Sequence, residues 1–142
     1  MLGALIMKSK ASSGFRKLNQ RDLSSFMDDW RDDAVFIYPG NVSVSGEYKG
    51  KEKINMWWDN FLSQFPEVKF ICKGIYIKNI YALGPSNDIA LHWEVFTENR
   101  EGNKYNNSGI SQVKVKNGKI EYFKDYIYDL NAMRKAWCED KQ

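Results

Sequence analysis

Only two cysteines, one histidine and three prolines occur among the 142 residues of this chain. Two distant thiols, Cys72 and Cys138, make neither a disulfide framework nor a Cys-x-x-Cys redox motif. With His92 as the single imidazole, no zinc-type ligand cluster is expected. The thiols are expected to be free and buried or half-buried, in a reducing, cytoplasmic compartment. The apolar opening Met1–Met7 lacks a preceding basic segment and stops at Lys8, so neither a secretory leader nor a membrane span is expected. A Gly-rich phosphate loop is missing, and no cofactor is expected. Asp28, Asp29, Asp32 and Asp33 read as a solvated helix end rather than a metal site. Charge of one sign is also scarce, with 21 basic and 18 acidic residues and a formal net charge of +3. The lysines are scattered and accompany no recognition motif, so nucleic acid is not an expected partner.

Aromatic residues, by contrast, are plentiful: five Trp, eight Tyr and eight Phe. That is more ring surface than a minimal core requires, and the surplus has to line a pocket or an interface. There are no repeats, linkers or low-complexity segments, and the length suits one domain over 1–142.

Helical spacing of Phe15 and Leu18, then of Leu23, Phe26, Met27 and Trp30, predicts two helical pieces broken near Asn19-Gln20-Arg21, with Asp22 capping the second. Val35-Phe36-Ile37-Tyr38 reads as a strand stopped by Pro39-Gly40, followed by a turn-rich stretch from Asn41 to Gly50. Ile54, Trp57, Trp58, Phe61, Leu62 and Phe65 form the clearest amphipathic stripe, ending at Pro66. Strand-like segments follow at Val68–Ile71, Ile75–Leu83, Ile89–Glu98, Tyr105–Lys116 and Ile120–Tyr128, with Asn117-Gly118 as a hairpin turn. A short last helix over Leu130, Met133 and Trp137 starts after Asp129 as its cap. Helices first and antiparallel hairpins afterwards predict an α+β fold with segregated layers.

Chemistry-bearing residues fall on two of these strands. Ile89, Leu91, Trp93 and Val95 share one face, and Ala90, His92, Glu94 and Phe96 the other. Either the all-apolar face covers the core and leaves His92 and Glu94 to solvent, or the sheet is covered on both sides. In the second case His92 and Glu94 stand about 7 Å apart in a hollow beside Phe96. On the last strand Glu121, Phe123, Asp125 and Ile127 share a face opposite Tyr122, Lys124 and Tyr126, so Asp125 is an acid between two apolar neighbours.

Asp32-Asp33-Ala-Val-Phe-Ile-Tyr-Pro39, Gly46…Gly50-Lys-Glu-Lys-Ile54, Asn87-Asp-Ile-Ala-Leu-His-Trp-Glu94, the Gly102 turn and Gly118-Lys-Ile…Asp125-Tyr126 occur in that order along the chain. Together they resemble the SnoaL-like branch of the nuclear transport factor 2-like superfamily. The resemblance implies a cone: N-terminal helices packed in the concave face of a strongly curved, mostly antiparallel sheet around an apolar pocket. It also implies a homodimer through the outer sheet face, which would place Leu91, Trp93 and Val95 in the interface. Among the relatives, limonene epoxide hydrolases place an Arg-x-Asp and a late Asp where this chain has His92, Glu94 and Asp125. Their first-strand Tyr and Asn fall at Phe36 and Tyr38. In ketosteroid isomerases the base and the protonated acid would fall near Tyr38 and Ser111. Polyketide cyclases of this branch pair a late acid with a His.

The expected function is acid/base chemistry of cyclase, isomerase or hydrolase type on a small, largely apolar organic molecule. Asp125 is the candidate general base, His92 its relay, Glu94 the general acid and Tyr38 an oxyanion donor. Phe36, Trp57, Trp58, Phe61, Phe96 and Phe123 are the candidate ligand-contacting walls. The alternative is a non-catalytic ligand-binding or dimerising module of the same fold. Convergence of His92, Glu94 and Asp125 in one pocket would favour the enzyme, and their separation the module.

Overall fold

The computed structural model describes residues 2–139. Helix α1 (Leu2–Asn19) buries Ala4, Met7, Ala11 and Leu18 against the sheet. Asp22 caps α2 (Leu23–Asp28) by accepting a hydrogen bond from the Ser25 amide at 3.2 Å. Trp30 does not continue that helix: it opens β1 (Trp30–Tyr38), pairing with Ile120 and stacking its ring on Phe123 at 5.4 Å. Tertiary pairing overrides the helical spacing there. Strand β2 (Gly46–Lys49), formed within the stretch read as turn-rich, is an edge strand against β1. Helix α3 (Lys51–Gln64) carries the predicted stripe and buries Ile54, Trp57, Trp58, Phe61 and Leu62.

The remaining strands are β3 (Glu67–Ile77), β4 (Asn87–Glu98), β5 (Lys104–Lys116) and β6 (Lys119–Ile127). Val68–Ile71 and Ile75 onward join into the single β3 across a bulge between Cys72 and Gly74, and pairing stops at Ile77 rather than Leu83. Helix α4 (Leu130–Ala136) follows Asp129, whose side chain accepts from the Ala132 amide at 3.0 Å. The order across the sheet is β2-β1-β6-β5-β4-β3, antiparallel except for β1 beside β6. The sheet is curved and does not close, and the helices pack in its concave face around an aromatic core.

Register decides which face is which. Leu91, Ser111 and Asp125 lie opposite one another on β4, β5 and β6, and all three are buried. The neighbouring row, His92, Ile110 and Tyr126, therefore points away from the helices. The all-apolar face of β4 covers the core: Ile89, Leu91 and Trp93 are buried and Val95 packs against the core. These residues are thus not an outer interface, because the helices occupy their side of the sheet. Cys72 and Cys138 are free but both exposed, a correction to the buried or half-buried placement expected for them: Cys72 sits at the β3 bulge and Cys138 beyond the last helix.

Candidate active site

Asp125 sits mid-strand on β6 with 6% of its surface exposed, on the wall of a cavity of about 70 Å³. The strand places it inward together with Phe123, and α3, α4 and the residue after α4 close the space above it with Trp57, Trp58, Phe61, Met133 and Trp137. Its Oδ1 accepts a hydrogen bond from Ser111 Oγ at 2.5 Å, and Ser111 Oγ in turn accepts from Trp93 Nε1 at 2.9 Å. Trp93 reaches Ser111 diagonally across two strands, and Gly109 makes the reach possible. A Cβ on Gly109 would meet the Trp93 ring at 2.7 Å.

Removal from water disfavours the charged carboxylate more than the Ser111 hydrogen bond favours it, and the Asp125 pKa is pushed up to about 7. Oδ2 takes no protein hydrogen bond among the described residues, and so is the oxygen left for a ligand. Tyr38, also on the wall, has its hydroxyl oxygen accept from Trp137 Nε1 at 3.0 Å. That bond leaves the phenolic proton unspent among the described residues, and burial first, with the Asp125 charge adding to it, keeps the phenol well above its ordinary pKa. Trp58 is 3% exposed on the same wall, and its indole N–H has no acceptor among the described residues. The cavity thus holds one buried carboxyl and the Tyr38 hydroxyl on a largely apolar wall that also includes Thr97, Tyr105, Asn107 and Ser111.

The expected set divides. Asp125, Tyr38, Trp57, Trp58, Phe61 and Phe123 line this cavity. His92 and Glu94 do not, because strand alternation turns them to the outer face, where His92 lies 6.0 Å from the Tyr128 ring. Phe96, on the same face, is 41% exposed. Phe36 points inward but is fully buried behind Trp57 and Phe123 in the core, not on the cavity wall. The reading of residues missed Trp93, Ser111 and Trp137 as parts of the site. Asp125's same-face row contains Ser111, but the pairing of strands needed to see that row is not a property of either segment alone.

The lid over the cavity is held by polar groups. Buried Gln64 and Asn99 both donate to the Ala136 carbonyl, at 3.0 and 3.1 Å, and Arg100 donates to Gln64 Oε1 at 3.1 Å. These contacts pin the end of α4, and with it Trp137, over Tyr38.

Helices seated in the concave face of a curved, unclosed sheet are the architecture of nuclear transport factor 2-like proteins. Residues 13–123 match the SnoaL-like domain, and the chain belongs to that family. Bal32a, from a soil-derived mobile gene cassette, has the same fold with a TM-score of 0.82 at 18% identity, over 95% of this chain and 98% of that one. A candidate isomerase from Bacillus subtilis gives 0.82 at 20% identity, over 99% of this chain and 98% of its own. Rv0760c from Mycobacterium tuberculosis, in complex with estradiol-17β-hemisuccinate, gives 0.72 at 20% identity, over 93% and 98%. No curated protein matches the chain in sequence. No helix among the described residues is long and apolar enough to cross a membrane.

Proposed function

We propose that this chain is an acid/base enzyme of isomerase or cyclase type, acting on a small, largely apolar molecule that carries a carbonyl oxygen. The observation that carries this is Asp125: a carboxyl buried in an aromatic hollow, anchored through one oxygen by Ser111, with a pKa near neutrality. A carboxyl so placed costs stability that a purely structural role does not require, and its pKa suits proton exchange near pH 7. In the proposed step, ionised Asp125 takes a proton from the carbon beside the carbonyl, the electron pair moves to the oxygen, and the Tyr38 hydroxyl hydrogen-bonds that oxygen. Asp125 then returns the proton to carbon. The isomerase description of one structural relative agrees with such a reaction class.

The test is incorporation of deuterium next to the carbonyl of heptan-2-one in heavy water, followed by proton NMR. The wild type should catalyse it and Asp125→Ala should not. Equal rates in both would overturn the proposal. One observation favours the second reading, a non-catalytic binding module: His92 and Glu94, the relay and general acid expected beside Asp125, lie on the opposite face of the sheet. Binding without exchange would select it. A homodimer through the outer face belongs to either reading, resting now on the exposed rings of Phe96, Tyr126 and Tyr128. Sedimentation equilibrium giving a monomer at micromolar concentration would remove it.

A further inference from the structure

Beneath the middle and second half of α1 lies a second cavity, also of about 70 Å³, separate from the one that holds Asp125. Met7, Ala11 and Gly14 of the helix roof it, and Leu91 and Val113 form part of its floor. Its charged wall residues are Lys10 and Asp29, and Asp29 is already engaged by Lys17 at 2.8 Å. The rest of the wall is apolar apart from backbone, so the space suits hydrocarbon rather than a polar group.

Phe15, Leu18 and Phe123 line both cavities and so form the partition between them. Leu18 and Phe123 are buried, and Phe123 is stacked on Trp30. Phe15 is only half-buried and packs at 6.0 Å on Phe70. It is therefore the member of the partition that a change of rotamer moves at least cost.

Size then decides between one site and two. An apolar void of ~150 Å³ accepts a benzene molecule, and each cavity here is about half of that. Neither alone holds more than a few heavy atoms, whereas both together match the room needed by a ligand of useful size. We infer that the two cavities are halves of one site for an elongated molecule, with its carbonyl end at Asp125 and Tyr38 and its unbranched alkyl tail passing Phe15 into the space under Ala11. The placement of the carbonyl end rests on the acid/base role proposed above; the placement of the tail does not. A flat polycyclic ligand fits less well, since it requires Leu18 and Phe123 to move as well as Phe15.

The experiment is an NMR titration of the indole N–H signals with propan-2-one, pentan-2-one and heptan-2-one. Four of the five tryptophans, Trp57, Trp58, Trp93 and Trp137, line the first cavity and report binding there. In the wild type, affinity should rise by up to about fourfold for each added methylene that is buried. Ala11 lines the second cavity and not the first. Ala11→Phe, and the smaller Ala11→Leu in case the larger ring prevents folding, should flatten that rise while leaving propan-2-one affinity unchanged. A wild-type affinity independent of chain length, or a rise that persists in both Ala11 variants, overturns the inference. A rise that Ala11→Leu abolishes, in a protein that exchanges no deuterium into heptan-2-one, upholds the tail site and overturns the acid/base role alone.

Discussion

Trp137, just beyond the last helix, donates its indole N–H to the hydroxyl of Tyr38 on the first strand at 3.0 Å. The bond occupies the phenol as an acceptor and so directs its own proton elsewhere, which on the proposed mechanism is a ligand oxygen. Tyr38→Phe leaves the buried Trp137 N–H without an acceptor and should destabilise the fold by about 1–3 kcal/mol in urea denaturation. It should also slow deuterium exchange. If exchange is unchanged while stability falls, Tyr38 is only a brace for Trp137.

Asp125 makes stability depend on pH with a definite sign. Its folded pKa, about 7, is above the ordinary 3.8, so the native state holds this proton over a window where the unfolded chain has lost it. Stability from this group is therefore full below about pH 4 and declines as pH rises toward 7, by on the order of 3–4 kcal/mol. Asp125→Asn removes the ionisation while keeping an acceptor for Ser111. The variant should match or exceed the wild type at pH 8, and lose that advantage by pH 4–5, in paired urea titrations.

The same pKa sets the direction of the rate profile. Exchange needs the ionised carboxylate, so it should rise with pH through about 7 and then level off. Ser111 donates to the carboxylate and holds its pKa down against the effect of burial. Ser111→Ala should accordingly move the midpoint of that rise to higher pH. An unmoved midpoint would show that the titrating group is not Asp125.

Gly109 and Gly14 should respond to alanine in opposite ways. At Gly109 the new methyl collides with the Trp93 ring and the Tyr126 carbonyl, so Gly109→Ala should cost about 1–3 kcal/mol or more and displace Trp93 from Ser111. At Gly14, inside α1, it finds its nearest neighbour, Phe26, at 3.9 Å, an ordinary contact. Gly14→Ala should stabilise by about 0.5–1 kcal/mol through helix propensity. Thermal or urea unfolding of the two variants checks both signs.

Phe61 lies among Trp57, Trp58, Phe65 and Trp137 with ring centroids 5.0–6.1 Å away. Phe61→Ala should cost about 3–5 kcal/mol. A loss below about 1 kcal/mol would mean that the cavity wall collapses to fill the space.

Local signals in the chain were enough for the helices, most of the strands, the Asp22 and Asp129 caps and the order of elements, because spacing and turn chemistry act over a few residues. They failed where a distant partner competes: Trp30 follows helical spacing but is drawn into a strand by Ile120 and Phe123, and β2 exists only because β1 offers it an edge. The site divides along the same line. Alternation along β4 and β6 determined that His92 and Glu94 travel together, and that Asp125 travels with Phe123. The all-apolar face of β4 points toward the core, but the strand by itself does not say whether its other face is covered too. That choice was made by the tertiary structure, which registers Leu91, Ser111 and Asp125 in one row beneath α3 and α4 and turns His92 outward with Ile110 and Tyr126. The deciding force is burial: facing Leu91 and Trp93 inward removes large apolar surface from water, and the cost of taking a single carboxyl with them is lessened by letting Asp125 keep its proton.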